Sequence, residues 1–416
     1  TSESIKLIPD YYGVERGRIK LVDTKKINKE YIAYICPFAD AFRLNFIKHL
    51  ETYTEFIKKL KIPFIVPGIG IRASTKKINR TDIDEATNKK MISFPFDKEV
   101  HDFIEAVNGT GTILGVRGQT TADYLTNLGF KENTDFMITG CPSMFTFGKH
   151  IKIKTEEIAN NSTVSLNSSP KAPRSTIKFI SKSSEDFDKY YYLPQLLSEF
   201  RLSYLGGPEL KKKKPFYPRD LKSKFYQDNS VYFPIHPQGW IDFLKKVDFS
   251  FGARLHGNIT ATLAGTPNII VVKDSRMREV VDYHNLTNVN VKELKKFDSI
   301  FDLINSVDLN TPEKGHKNRF KNYLKFWEIN NIETIYDEDI SRKDAPLDKQ
   351  INKNSKLEPV PSLITLNKNQ IDKRLKKYQY EEKKWEKEKK RKLHQKIHSK
   401  SYEIYDKLKN NISKRF

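Results

Sequence analysis

Short apolar runs alternate with helix-length segments between residues 31 and 150, and this alternation constrains the fold more than any other feature. Residues 31–36 (YIAYIC) and 64–66 (FIV) are typical of strands, while apolar residues recur at helical spacing over 41–60. The pattern continues with helices predicted over 97–107 and 120–128 and strands over 112–116 and 137–138. Alternation of this kind predicts an α/β domain with a parallel sheet.

The segment 155–175 is polar and rich in Asn, Ser and Pro, which indicates a domain boundary. Residues 177–181 are predicted to open a second α/β unit. Its further elements are a helix near 187–200, a strand at 231–235, a helix at 238–247, a strand at 249–251, a helix at 257–264, a strand at 268–272 and a helix at 277–283. We therefore expect an N-terminal α/β domain over 1–155, a C-terminal one over 170–335, a linker over 336–370 and a basic helical tail over 371–416.

The positive charge of this chain is concentrated at its end. The 416 residues carry a formal net charge of +22, and residues 371–416 hold 17 Lys/Arg against 7 Asp/Glu. An anionic partner is expected, either at a surface or as a phosphorylated substrate. Since the body is only mildly basic and no nucleic-acid motif occurs, we expect no specific nucleic-acid partner. The tail could instead contact an anionic membrane face.

The two cysteines, Cys36 and Cys141, rule out a disulfide scaffold and fit a reducing compartment, so we expect a cytoplasmic protein, peripheral at most to the inner face of a membrane. No run reaches the roughly 18 apolar residues of a spanning helix. Both cysteines are predicted to be core or turn residues, because no His lies near either in sequence. The chain begins with Thr, and a trimmed N-terminus is one expectation.

The segment from 249 to 279 carries the most chemistry. It has the pattern of a strand, a turn containing Arg254 and His256, and a helix opened by Gly257. Such turns lie at the carboxyl edge of parallel sheets, where α/β proteins bind ligands, and a helix N-terminus attracts anions. Arg254 offers a planar fork for a carboxylate or phosphate, and His256 can transfer protons near neutral pH. Structural pairing of Arg254 and helix capping by His256 are the alternatives.

This segment resembles the signature of the polysaccharide pyruvyl transferase family. The family has a G-x-R-x-H turn, matched by residues 252–256, then a small-residue helix, an apolar strand and D-x-R-x-x-E, matched by residues 274–279. Upstream, residues 62–70 (IPFIVPGIG), 115–118, 121–125 and 139–143 also resemble family segments. The family's N-terminal Asn/Gly/Asp-containing loop has no counterpart here.

The resemblance implies two Rossmann-like domains facing a cleft, as in the glycosyltransferase-B architecture. It also implies an enzyme that moves pyruvate from phosphoenolpyruvate onto two hydroxyls of a sugar, releasing phosphate and forming a ketal. The acceptor would be a surface polysaccharide or its lipid-linked precursor. Phosphoenolpyruvate would be a co-substrate, with no cofactor or metal.

The resemblance also implies roles for individual residues. His256 and Arg254 would act in catalysis, with Arg254 also holding the donor. Other implied donor-binding residues are Leu255, Gly257, Arg117, Arg276 and Glu279. Further cleft candidates are His236, Gly68, Gly70, Asp40 and Arg43. For Arg117 a salt bridge between domains is the alternative, for Arg276 and Glu279 a mutual pair, for His236 a buried structural role, and for Asp40 a helix N-cap.

Two other functions remain open at this point. A glycosyltransferase with a nucleotide-sugar donor would use the same architecture, because Arg254 and His256 could also hold a diphosphate. A non-catalytic glycan-assembly scaffold would keep the fold and use the basic tail for partners.

Overall fold

The computed structural model describes residues 23–72, 83–84, 89–90, 93–211, 214–337, 358–384 and 386–387. It contains two α/β units, each built on a parallel sheet, so the predicted fold class is confirmed. The strands are β1 (Tyr34–Ile35), β2 (Phe64–Ile65), β3 (Pro67–Ile69), β4 (Ile83–Asp84), β5 (Lys89–Lys90), β6 (Leu114–Val116), β7 (Phe136–Ile138), β8 (Thr163–Asn167), β9 (Lys189–Tyr192), β10 (Tyr232–Phe233), β11 (Phe249–Gly252), β12 (Asn268–Val272), β13 (Asn288–Asn290) and β14 (Val360–Pro361). The α-helices are α1 (Thr24–Glu30), α2 (Ile47–Ile57), α3 (Asp97–Asn108), α4 (Gln119–Asn127), α5 (Arg174–Lys182), α6 (Leu197–Leu205), α7 (Lys224–Gln227), α8 (Pro237–Leu244), α9 (Leu255–Ala264), α10 (Ser275–His284), α11 (Ile300–Asn305) and α12 (His316–Ile329).

The first unit is organised around strands β3, β6 and β7, which pair in that order and in parallel. Its helices cover the sheet with apolar faces. In α3, Val100, Phe103, Ile104 and Val107 are buried and follow helical spacing, so they lie on one face. Burying a side chain such as Phe103 stabilises the fold by roughly 1.5–3 kcal/mol.

The helix predicted over 41–60 begins later than expected, at Ile47. The reason is that Phe42 pairs with Ile71 in a parallel bridge and is fully buried. Extended backbone at this position cannot also be helical, so a short 3-10 turn over Leu44–Phe46 connects the bridge to α2.

The second unit has a five-stranded sheet in the order β13-β12-β11-β8-β9, with every neighbouring pair parallel. Central strands β11 and β12 are buried along their whole length. Such continuous burial is expected where helices cover both faces of a parallel sheet.

The boundary predicted over 155–175 is corrected by strand β8, which lies inside that segment and pairs with β11. The second unit therefore opens before residues 177–181, which belong to α5. The polar sequence hid this strand, but its buried Ser165 hydroxyl donates to the Ser250 hydroxyl on β11 (2.8 Å). The helix expected near 187–200 is likewise a strand, β9, followed by α6, as the Tyr-rich run favours extended backbone.

Helix α12 belongs to the predicted second domain by sequence but packs against the first sheet. Phe326 is fully buried in a cluster with Ile65, Ile113 and Met137. Just beyond the helix, the side chain of Asn330 accepts a hydrogen bond from the Ile113 amide (2.9 Å) and donates to the Phe326 carbonyl (2.8 Å). Helix α12 and the residue after it therefore return to the first unit, and their contacts connect the two units.

Part of the predicted linker is ordered on the second unit. Strand β14 pairs antiparallel with β10, and residues 368–384 are helical. From that helix, Arg374 stacks on the Tyr204 ring at 4.5 Å. Residues 338–357 of the predicted linker and residues 388–416 of the predicted tail lie outside the described residues.

Across the part of the chain that the structure describes, no helix combines the length and the apolar character needed to cross a membrane.

We predict that Asn330→Ala lowers the free energy of unfolding by about 1–3 kcal/mol, because it leaves the buried Ile113 amide without an acceptor. Denaturant unfolding measures this. The exposed Asn318 on α12 is the matched control, and its change to Ala should stay within about 0.5 kcal/mol. Equal losses of unfolding free energy in both variants would show that the Asn330 hydrogen bonds do not stabilise the packing of this region against the first sheet.

Candidate active site between the two domains

The carboxyl ends of both parallel sheets meet at the domain boundary. From the first unit, Arg117 follows β6 and Cys141 closely follows β7. From the second unit, Arg254 closely follows β11 and Lys273 follows β12. Ligands of open α/β sheets bind outside these ends, so this boundary is the candidate site.

Arg254 is held in a buried ion pair. Its guanidinium donates to the Glu199 carboxylate (2.8 Å) and to the Ser168 carbonyl (2.6 Å), and lies 3.3 Å from the Tyr217 hydroxyl. Burial alone would lower the pKa of Arg254, but Glu199 together with Tyr217 and Tyr192 outweighs this and raises it. The sequence left two roles open for Arg254, ligand binding and structural pairing. The structure contains the pairing with Glu199, which fixes the turn in front of α9.

Helix α9 begins directly after Arg254, and its N-terminus lies against the polar side chains of Asn167 and Gln195. The Asn167 side chain accepts a hydrogen bond from the Arg254 amide (2.8 Å). An added Cβ on Gly257 would come within 2.4 Å of the Gln195 side-chain nitrogen, so the Gln195 amide would have to move to admit one. The first helical amides, including those of Leu255 and Gly257, have no partner within the helix and suit an anion.

His256 is exposed in the first turn of α9, near enough to the Cys141 thiol of the first unit to affect its pKa. Sequence reasoning gave Cys141 no role, since the two residues lie 115 positions apart by their numbers. Burial raises the pKa of this thiol, but His256 and the Arg117 charge outweigh it and lower the pKa to about 6.

Arg117 is 5 % exposed and is positioned by strand β3 and the glycine that follows it. Its Nε donates to the Gly68 carbonyl (3.2 Å), and Gly70 packs against its side chain. One terminal nitrogen, Nη1, is buried without a hydrogen-bond partner among the described residues. An unpaired buried guanidinium nitrogen is costly and marks a place for an anionic or carbonyl group.

Asp40 joins cations from both units. It is buried and pairs with Arg43 (2.8 Å) and Arg72 (3.4 Å). Burial raises the pKa of Asp40, but the charges of Arg276 and Arg43 outweigh that effect and lower it. Asp40 therefore stays ionised and holds arginines at the site, which differs from the helix cap considered from sequence.

Lys273 was not predicted from sequence, although it stands between the apolar strand and the D-x-R-x-x-E match. Its ammonium donates to the Ala253 carbonyl (2.8 Å). Burial lowers its pKa to about 8; the adjacent Asp274 charge opposes this shift, and the charges of Arg276, Arg254 and Arg72 add to it. Arg72 was also missed; the signal for it is its place directly after the glycine turn.

Glu279 contacts the first unit rather than Arg276. Its carboxylate accepts a hydrogen bond from the Thr121 hydroxyl (2.8 Å) at the N-terminus of α4. An added Cβ on Gly118 would lie 2.4 Å from Glu279, so glycine permits this approach. Burial raises the pKa of Glu279 to about 7 despite the Thr121 hydrogen bond and the Arg117 charge.

His236 caps α8, since its Nδ1 accepts a hydrogen bond from the Gly239 amide (3.4 Å). This is a local structural contact, in line with the alternative open from sequence. Among the described residues, one group has metal-ligand spacing, namely His101, Asp102 and Glu105 on α3. Lys98 already pairs with Asp102 (2.6 Å), and the group lies on a helix surface outside the cleft.

The fold and the site define a two-domain α/β protein with a cationic cleft at the carboxyl edges of its sheets. Residues 9–275 match the model of the polysaccharide pyruvyl transferase family, and the chain belongs to that family. The resemblance seen in the sequence is thereby confirmed.

Among solved structures, the chain is similar to a UDP-GlcNAc 2-epimerase from Neisseria meningitidis bound to UDP-GlcNAc. The identity is 9 %, covering 76 % of this chain and 84 % of that one, with a TM-score of 0.41. It is also similar to the S. aureus MnaA–UDP co-structure, at 12 % identity over 79 % of each chain and a TM-score of 0.40. No curated protein matches the sequence.

We predict that Arg254→Met destabilises the protein by roughly 3–5 kcal/mol, because Glu199 is then buried and unpaired. The double variant with Glu199→Gln should recover part of this loss in denaturant unfolding. Arg219→Met, which breaks a looser pair with Glu209 at 3.7 Å, is the control and should cost less than about 1 kcal/mol. No recovery in the double variant would contradict the ion-pair account.

We predict that Glu279 makes stability fall as pH rises. An acid whose pKa is higher in the folded state retains its proton there between about pH 4.5 and about pH 7, while the unfolded chain loses it. Glu279→Gln should therefore gain stability relative to wild type on going from about pH 5 to about pH 8, by up to about 3 kcal/mol. Thermal unfolding at both pH values measures this. The exposed Glu55→Gln is the control, and a parallel course of wild type and Glu279→Gln would refute the prediction.

Proposed function

We propose that this protein transfers pyruvate from phosphoenolpyruvate onto two hydroxyls of a sugar and releases phosphate. Membership of the polysaccharide pyruvyl transferase family supports the class of reaction. The observation that carries the donor assignment is the environment of Lys273, a largely buried ammonium among arginines of both units. Burial and these arginines disfavour the ammonium despite the adjacent Asp274, an entering anion would offset that cost, and the donor has both a carboxylate and a phosphate.

In this proposal several groups bind the donor together. Lys273, Arg72 and Arg276 neutralise the donor's charges, and the first amides of α9 bind a phosphate or carboxylate oxygen. Arg117 offers its unpartnered Nη1 from the opposite side. Arg254 contributes mainly by fixing the turn through Glu199.

His256 is the proton-transfer group in this proposal. Its imidazolium gives a proton to the donor's methylene carbon, which becomes a methyl group, and the neighbouring carbon becomes electrophilic. One sugar hydroxyl adds to that carbon and returns its proton to His256. A second hydroxyl then displaces phosphate, which leaves with the remaining proton, and the ketal is complete.

The acceptor in this proposal is a surface polysaccharide or its lipid-linked precursor. The basic tail would then hold the protein at an anionic membrane face, each basic residue contributing about 1 kcal/mol near the surface. The described part of the tail supports this, because the helix over 368–384 is anchored through Arg374 and leaves its lysines outward.

The test is phosphate release from phosphoenolpyruvate with a panel of sugar acceptors, together with calorimetric donor binding. We predict that Lys273→Met weakens donor binding by roughly 10- to 100-fold, the value of one charge-assisted hydrogen bond. The control is Lys314→Met, an exposed lysine paired with Asp308, which should bind as wild type does. His256→Ala should keep binding but lose acceptor-dependent release.

The alternative donor is a nucleotide-sugar, since the same cations could hold a diphosphate. Binding of a nucleotide-sugar without binding of phosphoenolpyruvate would replace the pyruvyl proposal with a glycosyltransferase. Binding of neither, in a folded protein, would favour a non-catalytic scaffold.

A further inference from the structure

Two neighbouring leucines are exposed beside the candidate site, where α6 begins. Leu196 is 39 % exposed and Leu197 is 67 % exposed, although leucine is usually buried. We propose that an apolar rim, formed by Leu196, Leu197 and Ile235, inserts into the surface of an anionic lipid bilayer, with the helix over 368–384 (the tail helix) bound beside it. This inference rests on the lipid-linked acceptor of the proposed function. It assigns the membrane contact to the edge of the cleft as well as to the tail.

A single buried carboxylate connects the leucines to the cleft. The amides of Gln195 and Leu196 donate to one oxygen of Glu199 (2.8 and 2.6 Å). The Arg254 guanidinium donates to the other oxygen (2.8 Å). The Gln195 side-chain nitrogen lies against Gly257 in the first turn of α9. The segment that carries the leucines is therefore fixed directly beside the turn that opens α9.

A third exposed apolar side chain, Ile235, lies close to α6. The ring of Phe233 packs on that of Phe200 at 4.9 Å, and Phe200 lies one turn after Leu197 on α6. Ile235 follows Phe233 by two residues and is 40 % exposed. Apolar side chains exposed singly need no explanation, whereas a group of them marks an interaction surface.

The charge beside the apolar rim favours an anionic partner. In the tail helix, Arg374 stacks on the Tyr204 ring of α6 at 4.5 Å and donates to the Pro361 carbonyl (3.1 Å). These contacts fix the helix on the second unit. Residues 368–384 hold seven Lys/Arg and three Asp/Glu. Basic residues beside exposed apolar side chains are typical of proteins that bind the surface of anionic membranes.

The tail helix runs along α6 towards the apolar rim. Its Arg374 lies against Tyr204, near the end of α6. One turn later, Tyr378 donates to Glu382 (2.9 Å), which raises the pKa of the Tyr378 hydroxyl, and the Arg201 charge opposes this shift. Because Arg201 precedes Tyr204 on α6, the two helices lie antiparallel. Later turns of the tail helix therefore approach the start of α6, where Leu197 lies.

The outer face of the tail helix combines lysines with an aromatic ring. Tyr380 is 67 % exposed. It lies three or four residues from four exposed lysines, so all five side chains share one face; these are Lys376, Lys377, Lys383 and Lys384. Tyrosine is favoured at membrane–water interfaces, where its ring contacts lipid and its hydroxyl stays hydrated.

Docking at this rim has a direct consequence for the proposed reaction. The sugar of a lipid-linked acceptor lies at the headgroup level, because its lipid remains in the bilayer. A cleft whose edge inserts at that level can bind the sugar without extracting the lipid. The lysines supply attraction to the anionic headgroups, and the apolar rim supplies insertion.

The first experiment is co-sedimentation of the full chain with phosphatidylglycerol vesicles and with phosphatidylcholine vesicles. Wild type should bind the anionic vesicles, less so at high salt, and should not bind the neutral ones. The double variant Leu196→Ser/Leu197→Ser should bind at least about tenfold more weakly, because it has less apolar area to insert. The control is Ile32→Ser, which changes an 88 % exposed residue before β1 and should bind as wild type does.

A charge-reversed pair tests the tail helix in the same assay. Lys376→Glu/Lys377→Glu should also weaken binding by at least about tenfold, since each lysine near the surface contributes to the attraction. Lys25→Glu/Lys29→Glu on α1 makes the same change in net charge and should have a smaller effect. The proposal is overturned if wild type does not bind anionic vesicles, if both charge variants lose binding equally, or if the leucine variant binds as wild type does.

The second experiment measures insertion of the rim itself. Leu197→Trp places an indole at the rim, and brominated acyl chains in phosphatidylglycerol vesicles should quench its emission beyond the quenching seen in wild type. Ile32→Trp should show no extra quenching. If Leu197→Trp shows none either, the tail alone adsorbs and the rim does not insert. Neither measurement requires turnover, so a protein that docks but releases no phosphate would refute the proposed reaction, whereas one that releases phosphate without docking would refute the rim.

Discussion

The contact between the Glu279 carboxylate and the N-terminus of α4 is the interaction on which the geometry of the cleft depends. It requires glycine at position 118, because a Cβ there would overlap with Glu279. The carboxylate meets the positive end of a helix and a buried hydroxyl, which offsets part of the cost of its burial. One helix, α10, makes this contact and two others: Arg276 acts on Asp40, and His284 accepts the Cys141 amide. Three turns of the first unit are thus held by one helix of the second.

The same arrangement explains why charges accumulate at the boundary. Strand ends of both sheets bring Lys273 and Arg72 together, with Asp274 acting on Lys273 and Asp40 pairing with Arg72. Like charges crowded in a buried place disfavour one another's charged forms. The buried Nη1 of Arg117 has no hydrogen-bond partner among the described residues and could donate to a ligand oxygen. These two features are the basis on which an anionic donor is proposed for the cleft.

The spacing of apolar residues along the chain predicted many helices and strands correctly but missed others. The strand Asn268–Val272 was predicted residue for residue, because four apolar, β-favouring residues follow Asn268 between clear turns. Strand β8 was missed because Ser and Asn within it are satisfied by partners on β11 and α9, which no local pattern reveals. The role of Arg254 was left open between two readings, and the buried Glu199, 55 positions away by residue number, accounts for the pairing that the structure displays.

The fold class, the family and the strand–turn–helix segment that carries Arg254 and His256 can be predicted from the amino-acid order, since they depend on short-range patterns of apolar and glycine residues. Which distant groups meet depends on the tertiary fold. The Cys141 amide meets His284, burial lowers the pKa of Lys273, and Glu279 becomes a contact between domains. The physical reason is that burial and Coulomb interactions depend on distance in space, which a linear pattern does not contain.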